Sequence, residues 1–212
     1  MIALAIGSVV GTLRTTPYKW VVRLGNGYVE IFRNVPLIVQ MFLWFFVVPE
    51  LLPQAIGDWI KQMPPPWSSY LPAVMCLGIF TSVRVAEQVR AGINSLPRGQ
   101  RMAGTAMGLT SGQTYRHVIL PQAFRIILPP LTSEFMNVIK NSSVALTIGL
   151  LELTGRARAM QEFSFRVFEA FTAATVIYLI TNLVVVLAMR ALEKKVRVPG
   201  LIAASGAPQA GH

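Results

Sequence analysis

The chain has 212 residues, 53% of them hydrophobic and only 13% charged, with a mean hydropathy of +0.54. That is more apolar surface than a soluble domain of this length can bury, which excludes a soluble globular protein and leaves one polytopic, all-α integral membrane protein. A net charge of +10 would suit nucleic acid in a soluble chain, but the basic residues gather in particular connectors without interleaved aromatics, so a topology signal is read and nucleic acid is set aside.

Apolar stretches over residues 1–13, 20–48, 70–93, 128–151 and 168–189 predict about five transmembrane helices. The first is short, since about 13 residues at about 1.5 Å each cover about 20 Å of a hydrocarbon core of about 30 Å. The expectation is a first helix truncated by the start of the chain; a signal peptide is disfavoured because neither a basic region nor a small-residue cleavage site is present. The second stretch suits either one tilted span or an amphipathic entry over 20–30 followed by a span from about residue 35. Met63-Pro64-Pro65-Pro66-Trp67 reads as a stiff external loop with Trp67 at the interface. Cys76, the only cysteine, lies in the third apolar stretch, so an internal disulfide and a cysteine-based zinc site are both excluded.

Positively charged connectors stay on the cytoplasmic side. Arg14, Lys19 and Arg23 follow the first stretch, whereas residues 49–69 carry Glu50 and Asp58 against Lys61. Residues 88–133 carry Arg90, Arg98, Arg101, Arg116 and Arg125 with no acid, and residues 152–166 mix both signs. Arg190, Lys194, Lys195 and Arg197 near the end complete the alternation. The expected topology has the N-terminus outside and the C-terminus in the cytoplasm, with a membrane domain over 1–200 and a disordered tail over 201–212.

The cytoplasmic connector from Leu96 to Pro121 is patterned as two short helices: good helix formers over 100–107, a break at Gly108, and a second helix over 111–120 ending before Pro121. Such a pair is either a docking element or a basic amphipathic segment resting on anionic lipid. The chain has no Gly-rich phosphate loop followed by Lys-Ser/Thr, so ATP hydrolysis would have to take place in a partner.

Ionisable groups inside a span point to function. Glu134, Asn137, Asn141 and Val144 fall on one helical stripe, flanked by Lys140 at about 60°. The stripe either lines a translocation path, with Lys140 or its neighbours meeting a substrate carboxylate, or stitches helices together. Arg84, Glu87 and Arg90 recur at spacing three, which predicts that Glu87 pairs with either arginine. His117 and His212 have no companions at metal-ligand spacing, and Ser142 and Ser143 have no histidine in pattern, so no metal site and no catalytic residue is assigned.

The connector resembles that of the permease subunits of ABC importers for polar amino acids, whose signature is Glu-Ala-Ala-x3-Gly-x9-Ile-x-Leu-Pro. Ala103, Gly108, Val118, Leu120 and Pro121 stand at matching places; Met102 replaces the glutamate and Gly104 the second alanine. The likeness extends through Arg33-Asn34-Val35-Pro36-Leu37-Ile38-Val39-Gln40, Arg84-Val85-Ala86-Glu87-Gln88-Val89-Arg90-Ala91-Gly92 and Lys140-Asn141-Ser142-Ser143. It implies the transmembrane domain of a type I ABC importer in the bacterial inner membrane, with a coupling helix over 100–108 seated on a cytoplasmic ATPase. Gln100, Arg101, Met102, Ala103, Gly104, Met107 and Gly108 are its candidate coupling residues. Further implied are a dimer of ATPase subunits using ATP and Mg, a second permease subunit, identical or paralogous, and a periplasmic or lipid-anchored binding protein. Within the family, Leu96-Pro97-Arg98-Gly99-Gln100-Arg101 and Pro130-Leu131-Thr132-Ser133-Glu134 resemble glutamate/aspartate importers, with glutamine or a basic amino acid as the alternative substrate. An ion-coupled secondary transporter is the rival class, disfavoured because no internal repeat is present.

Overall fold

The computed structural model describes residues 1–196. The tail expected over 201–212 lies outside the described residues. The elements run α1 (Ile2–Leu13), α2 (Lys19–Asn34), α3 (Leu37–Phe42), a π-helical turn (Leu43–Val47), α4 (Val48–Leu51), α5 (Gln54–Lys61) and α6 (Trp67–Ser95). There follow α7 (Arg98–Ala106), α8 (Ser111–Thr114), a second π-helical turn (Tyr115–Ile119), α9 (Leu120–Asn141), a 3₁₀ segment (Ser142–Ile148), α10 (Leu153–Ser164) and α11 (Val167–Val196).

The α6 helix, 29 residues and about 43 Å long, packs against α1, α2, α3 and α9, while α11 packs against α9 and α10. Between helices in hydrocarbon, apolar surface confers little preference for protein over lipid, so close backbone approach and polar pairing select neighbours. The buried residues of α1 are Gly7 and Gly11, four apart and therefore on one face. A Cβ on Gly7 would stand 2.7 Å from the Ser82 carbonyl oxygen, and one on Gly11 2.6 Å from that of Ala86. The α1 backbone thus rests on the α6 backbone. On another face of α6, Gly92 meets Ile127 and the Ala123 carbonyl of α9, and Val85, Val89, Ile93, Ile119, Ile127 and Leu131 close a core between the two helices.

The second apolar stretch is two elements. The α2 helix and the Leu37–Leu51 segment meet at a bend of 101°. Pro36 has no N–H to continue α2 and forces Val35 into an extended conformation (φ −97°, ψ 126°). Gln40, 3% exposed, then donates to the carbonyls of Phe32 (2.8 Å) and Val35 (3.0 Å), supplying the donors the broken helix lacks.

Among the described residues, α6 and α11 are long and apolar enough to cross a membrane, and the bent pair adds a third if taken as one span. The other two of the five apolar stretches are helical but built differently. The α1 helix has 12 residues; α9 has 22, long enough at about 33 Å, yet it carries the polar stripe. The second connector helix does not stop before Pro121 as its sequence pattern predicts. It continues through the π-helical turn into α9, because Leu120 N–H bonds back to the Tyr115 carbonyl and the wider turn accommodates the proline that follows. Val48 N–H bonds to the Leu43 carbonyl ahead of Pro49 in the same way.

Gly11→Val is expected to lower the melting temperature in detergent, at a cost of about 1–3 kcal/mol for the forced fit. Gly27→Ala, where nothing lies within 4 Å of the added methyl, is expected to be neutral or to stabilise by up to about 1 kcal/mol. Thermal denaturation of the purified variants checks both; an unchanged Gly11→Val protein would show the α1–α6 contact to be slack.

Candidate functional site

The helix pair α7 and α8 is shaped by its termini. Leu96, extended ahead of Pro97 (ψ 136°), ends α6, and Pro97 opens α7. At the far end of α7, Leu109 N–H donates to the Gly104 carbonyl (3.0 Å) and Gly108 N–H to that of Thr105 (2.9 Å). This is the closing pattern that needs a left-handed residue, supplied by Gly108 at φ +77°. Thr110 and Gln113 then form a reciprocal capping box, with Thr110 N–H donating to Gln113 Oε1 (2.9 Å) and Gln113 N–H to Thr110 Oγ1 (3.3 Å).

The candidate coupling residues divide by direction. Gly104 is buried, and a Cβ there would stand 2.7 Å from the Thr114 hydroxyl and methyl. Gln100 accepts from Gln122 Nε2 at 3.3 Å, and the Arg101 guanidinium lies over the Tyr115 ring at 5.5 Å. These three hold α7 to the rest of the chain. Met102 (70% exposed) and Met107 (79% exposed) point outward, and Ala103 and Gly108 are exposed with them. The position where the family signature has glutamate is thus an outward methionine.

The polar stripe also divides. Glu134, its side chain 12% exposed, accepts from Gln88 Nε2 at 3.2 Å and has Arg84 Nη1 at 4.0 Å, so it ties α9 to α6. Its second carboxylate oxygen is buried and has no hydrogen bond among the described residues. Asn137 and Asn141 are half-buried and Lys140 is exposed, and among the described residues no hydrogen bond engages any of these three side chains. An apolar cavity of about 370 Å³ between α1, α6 and α9 takes in Thr81 and Glu134 but not Asn137, Lys140 or Asn141. The hydroxyls of Ser142 and Ser143 fold back onto the carbonyls of Ile139 and Lys140 at 2.7 Å each. Among the described residues no three metal-ligating side chains gather.

Of the pairing expected among Arg84, Glu87 and Arg90, the Glu87–Arg90 side forms and the Arg84 side does not. Arg84 turns to Glu134 on α9. Glu87 pairs with Arg14, at 2.9 Å, and more loosely with Arg90, at 3.8 Å. Arg14, its side chain only 4% exposed, also donates to Asn26 Oδ1 at 2.8 Å. Spacing along α6 could not reveal this, because Arg14 is brought to Glu87 by the helix crossing. The available signal was the Gly7-x3-Gly11 spacing, which predicts a close crossing just ahead of Arg14.

Glu87→Ala leaves the buried Arg14 charge without its anion, an expected loss of about 3–5 kcal/mol that abolishes the yield of folded protein. Replacing both residues by apolar ones of similar volume, Arg14→Met with Glu87→Leu, is expected to recover much of the yield. Size-exclusion profiles of the two variants decide it; a well-behaved Glu87→Ala protein would show that Arg14 does not need the pair.

With this geometry in place, similarity to known proteins is informative. Residues 3–198 match the family described as "Binding-protein-dependent transport system inner membrane component". The chain is 51% identical over 201 residues to the glutamate/aspartate import permease protein GltJ of Escherichia coli (strain K12), covering 94% of this chain and 82% of that one. It is 32% identical over 190 residues to the probable glutamine ABC transporter permease protein GlnM of Bacillus subtilis (strain 168), covering 90% and 82%. Among solved structures, an amino acid ABC transporter with histidines aligns at a TM-score of 0.72 and 29% identity over 92% of this chain and 87% of that one. The MetNI methionine ABC transporter in an inward-facing form aligns at a TM-score of 0.74 and 20% identity over 93% and 88%, a likeness of fold.

Proposed function

The chain belongs to the binding-protein-dependent transport system inner membrane components, and from that premise we propose that it carries glutamate and aspartate across the bacterial inner membrane. It is the permease subunit of an ATP-driven amino-acid importer and not itself the ATPase, so an ATPase and a binding protein are its partners. The observation that carries the substrate reading is the 51% identity to a glutamate/aspartate import permease over 94% of this chain.

The free side chains of α9 support it. Lys140 offers a cation, and Asn137 and Asn141 offer amide donors, to an anionic side chain or an α-carboxylate. Glu134, engaged by Gln88, belongs to the wall behind them. Because the stripe opens at the surface of this chain rather than into a cavity of its own, the path is completed by a second permease subunit, identical or paralogous, lying against α9. Two ATPase subunits, using ATP and Mg, receive the outward face of α7 through Met102, Ala103, Met107 and Gly108. The basic connectors orient the chain with its N-terminus outside and its C-terminus in the cytoplasm. A periplasmic or lipid-anchored binding protein delivers the amino acid on the opposite side. ATP-driven closure of the ATPase pair then switches the path between its two openings.

Proteoliposomes holding this chain, its co-purifying permease and its ATPase are expected to hydrolyse ATP faster with a glutamate- or aspartate-loaded binding protein than with a glutamine- or arginine-loaded one. Lys140→Ala is expected to cut that stimulation about tenfold or more, the loss of a charge-assisted hydrogen bond, with assembly intact. Stimulation by glutamine alone would move the substrate to the amide, the reading favoured by the 32% identity to a probable glutamine permease. Deletion of residues 100–108 is expected to abolish co-purification of the ATPase; retained co-purification would place the docking surface elsewhere.

A further inference from the structure

We propose that Tyr115 is the positioning residue through which the docking helix α7 acts on the membrane-spanning body, its hydroxyl bound to the connector between α1 and α2. This rests on the reading of α7 as the ATPase-docking helix.

The geometry around Tyr115 is continuous in both directions. Toward the cytoplasm, the Arg101 guanidinium of α7 covers its ring at 5.5 Å. Toward the membrane, its hydroxyl donates to the Thr15 carbonyl at 2.8 Å, with the Thr15 hydroxyl at 3.3 Å. Among the described residues this is the one hydrogen-bonded link between residues 98–119 and residues 1–34.

Thr15 is itself held firmly. Its N–H and hydroxyl both donate to the Thr12 carbonyl, at 3.0 and 2.7 Å. Its neighbour Arg14 is locked to Glu87 of α6 and Asn26 of α2. A displacement of Thr15 therefore acts at once on three helices, and α1 and α6 cannot shear freely because Gly7 and Gly11 hold them backbone to backbone. Tyr115 also occupies the π-helical turn, the least regular part of the helix leading into α9. Local departures of this kind are where a helix bends under load. The ring is fixed on the docking side and the hydroxyl on the α1 side, so movement of α7 reaches α1, α2 and α6 by this route as well as along α9.

The readout is the coupling ratio, amino acid taken up per ATP hydrolysed, in proteoliposomes of the full complex with a glutamate-loaded binding protein. Tyr115→Phe keeps the ring under Arg101 and removes only the hydroxyl. It is expected to co-purify with the ATPase as the parent does and to lower the coupling ratio about fivefold, the effect of one lost hydrogen bond. Thr15→Val, which keeps the carbonyl acceptor but removes the hydroxyl that bonds Thr12 and lies beside Tyr115, is expected to lower the ratio less than Tyr115→Phe does; a larger fall than in Tyr115→Phe would overturn the assignment of the link to the Tyr115 hydroxyl.

Arg101→Gln removes the cation from the ring and is expected to lower the ratio too. The double variant with Tyr115→Phe is expected to fall no further than the worse single one, because both changes break the same link. An unchanged ratio in Tyr115→Phe overturns the proposal, as does full multiplication of the two effects; if Tyr115→Phe does not assemble, an unchanged ratio in Arg101→Gln overturns it equally. A parent complex that hydrolyses ATP but is stimulated by no loaded binding protein overturns the importer reading and the joint with it, whereas a stimulated parent beside an unaffected Tyr115→Phe overturns the joint alone.

Discussion

Two glycines on α1 let its backbone reach that of α6, and the remaining contacts of the membrane body are arranged around that approach. Lipid offers apolar side chains much the same surroundings as a neighbouring helix does, so leucines and valines alone select no partner. Removing two Cβ atoms at positions 7 and 11 creates a face on which only a close neighbour gains full dispersion contact, and the Ser82 and Ala86 carbonyls lie there. The crossing then carries Arg14, just past the end of α1, to Glu87. A buried guanidinium is costly without an anion, and a carboxylate in a span is equally so. Each answers the other only because the glycines bring the two helices to that distance.

Proline shapes the rest of the body. Pro36 breaks the second apolar stretch outright, and Gln40 bonds the carbonyls exposed by the break. Pro49 and Pro121 do not break their helices. Each follows a five-residue π-helical turn by one residue, at Leu43–Val47 and Tyr115–Ile119. The difference lies in what precedes the ring: an extended residue ends the helix at Val35, whereas a widened turn keeps Val48 and Leu120 helical. As a result α8 and α9 form one continuous path from the α7–α8 connector to the polar stripe.

Bonded and unbonded side chains are divided between faces of the same helices. On α7, the side toward the chain is fixed by Gly104, Gln100 and Arg101, while Met102 and Met107 are exposed. The glycine where the family signature has alanine has a local cause, since Thr114 occupies the space an alanine methyl would need. On α9, Glu134 is turned into the helix interface, whereas among the described residues the amides of Asn137 and Asn141 and the Lys140 ammonium make no side-chain hydrogen bond.

The membrane class, the two-helix connector with its break at Gly108 and the three- and four-residue spacing of the polar stripe were legible in the sequence, because hydropathy, helix-breaking residues and helical period are properties of neighbouring residues. So were both possible forms of the second apolar stretch, though not the choice between them. The tertiary structure alone decided that Glu87 pairs with Arg14, that Arg84 turns to Glu134, that Pro121 leaves its helix running and that Tyr115 bonds to Thr15. Each depends on residues far apart in the chain or on how one turn relaxes around a proline; the Gly7-x3-Gly11 spacing marks a close crossing, but which helix crosses there, and at what register, is set by packing.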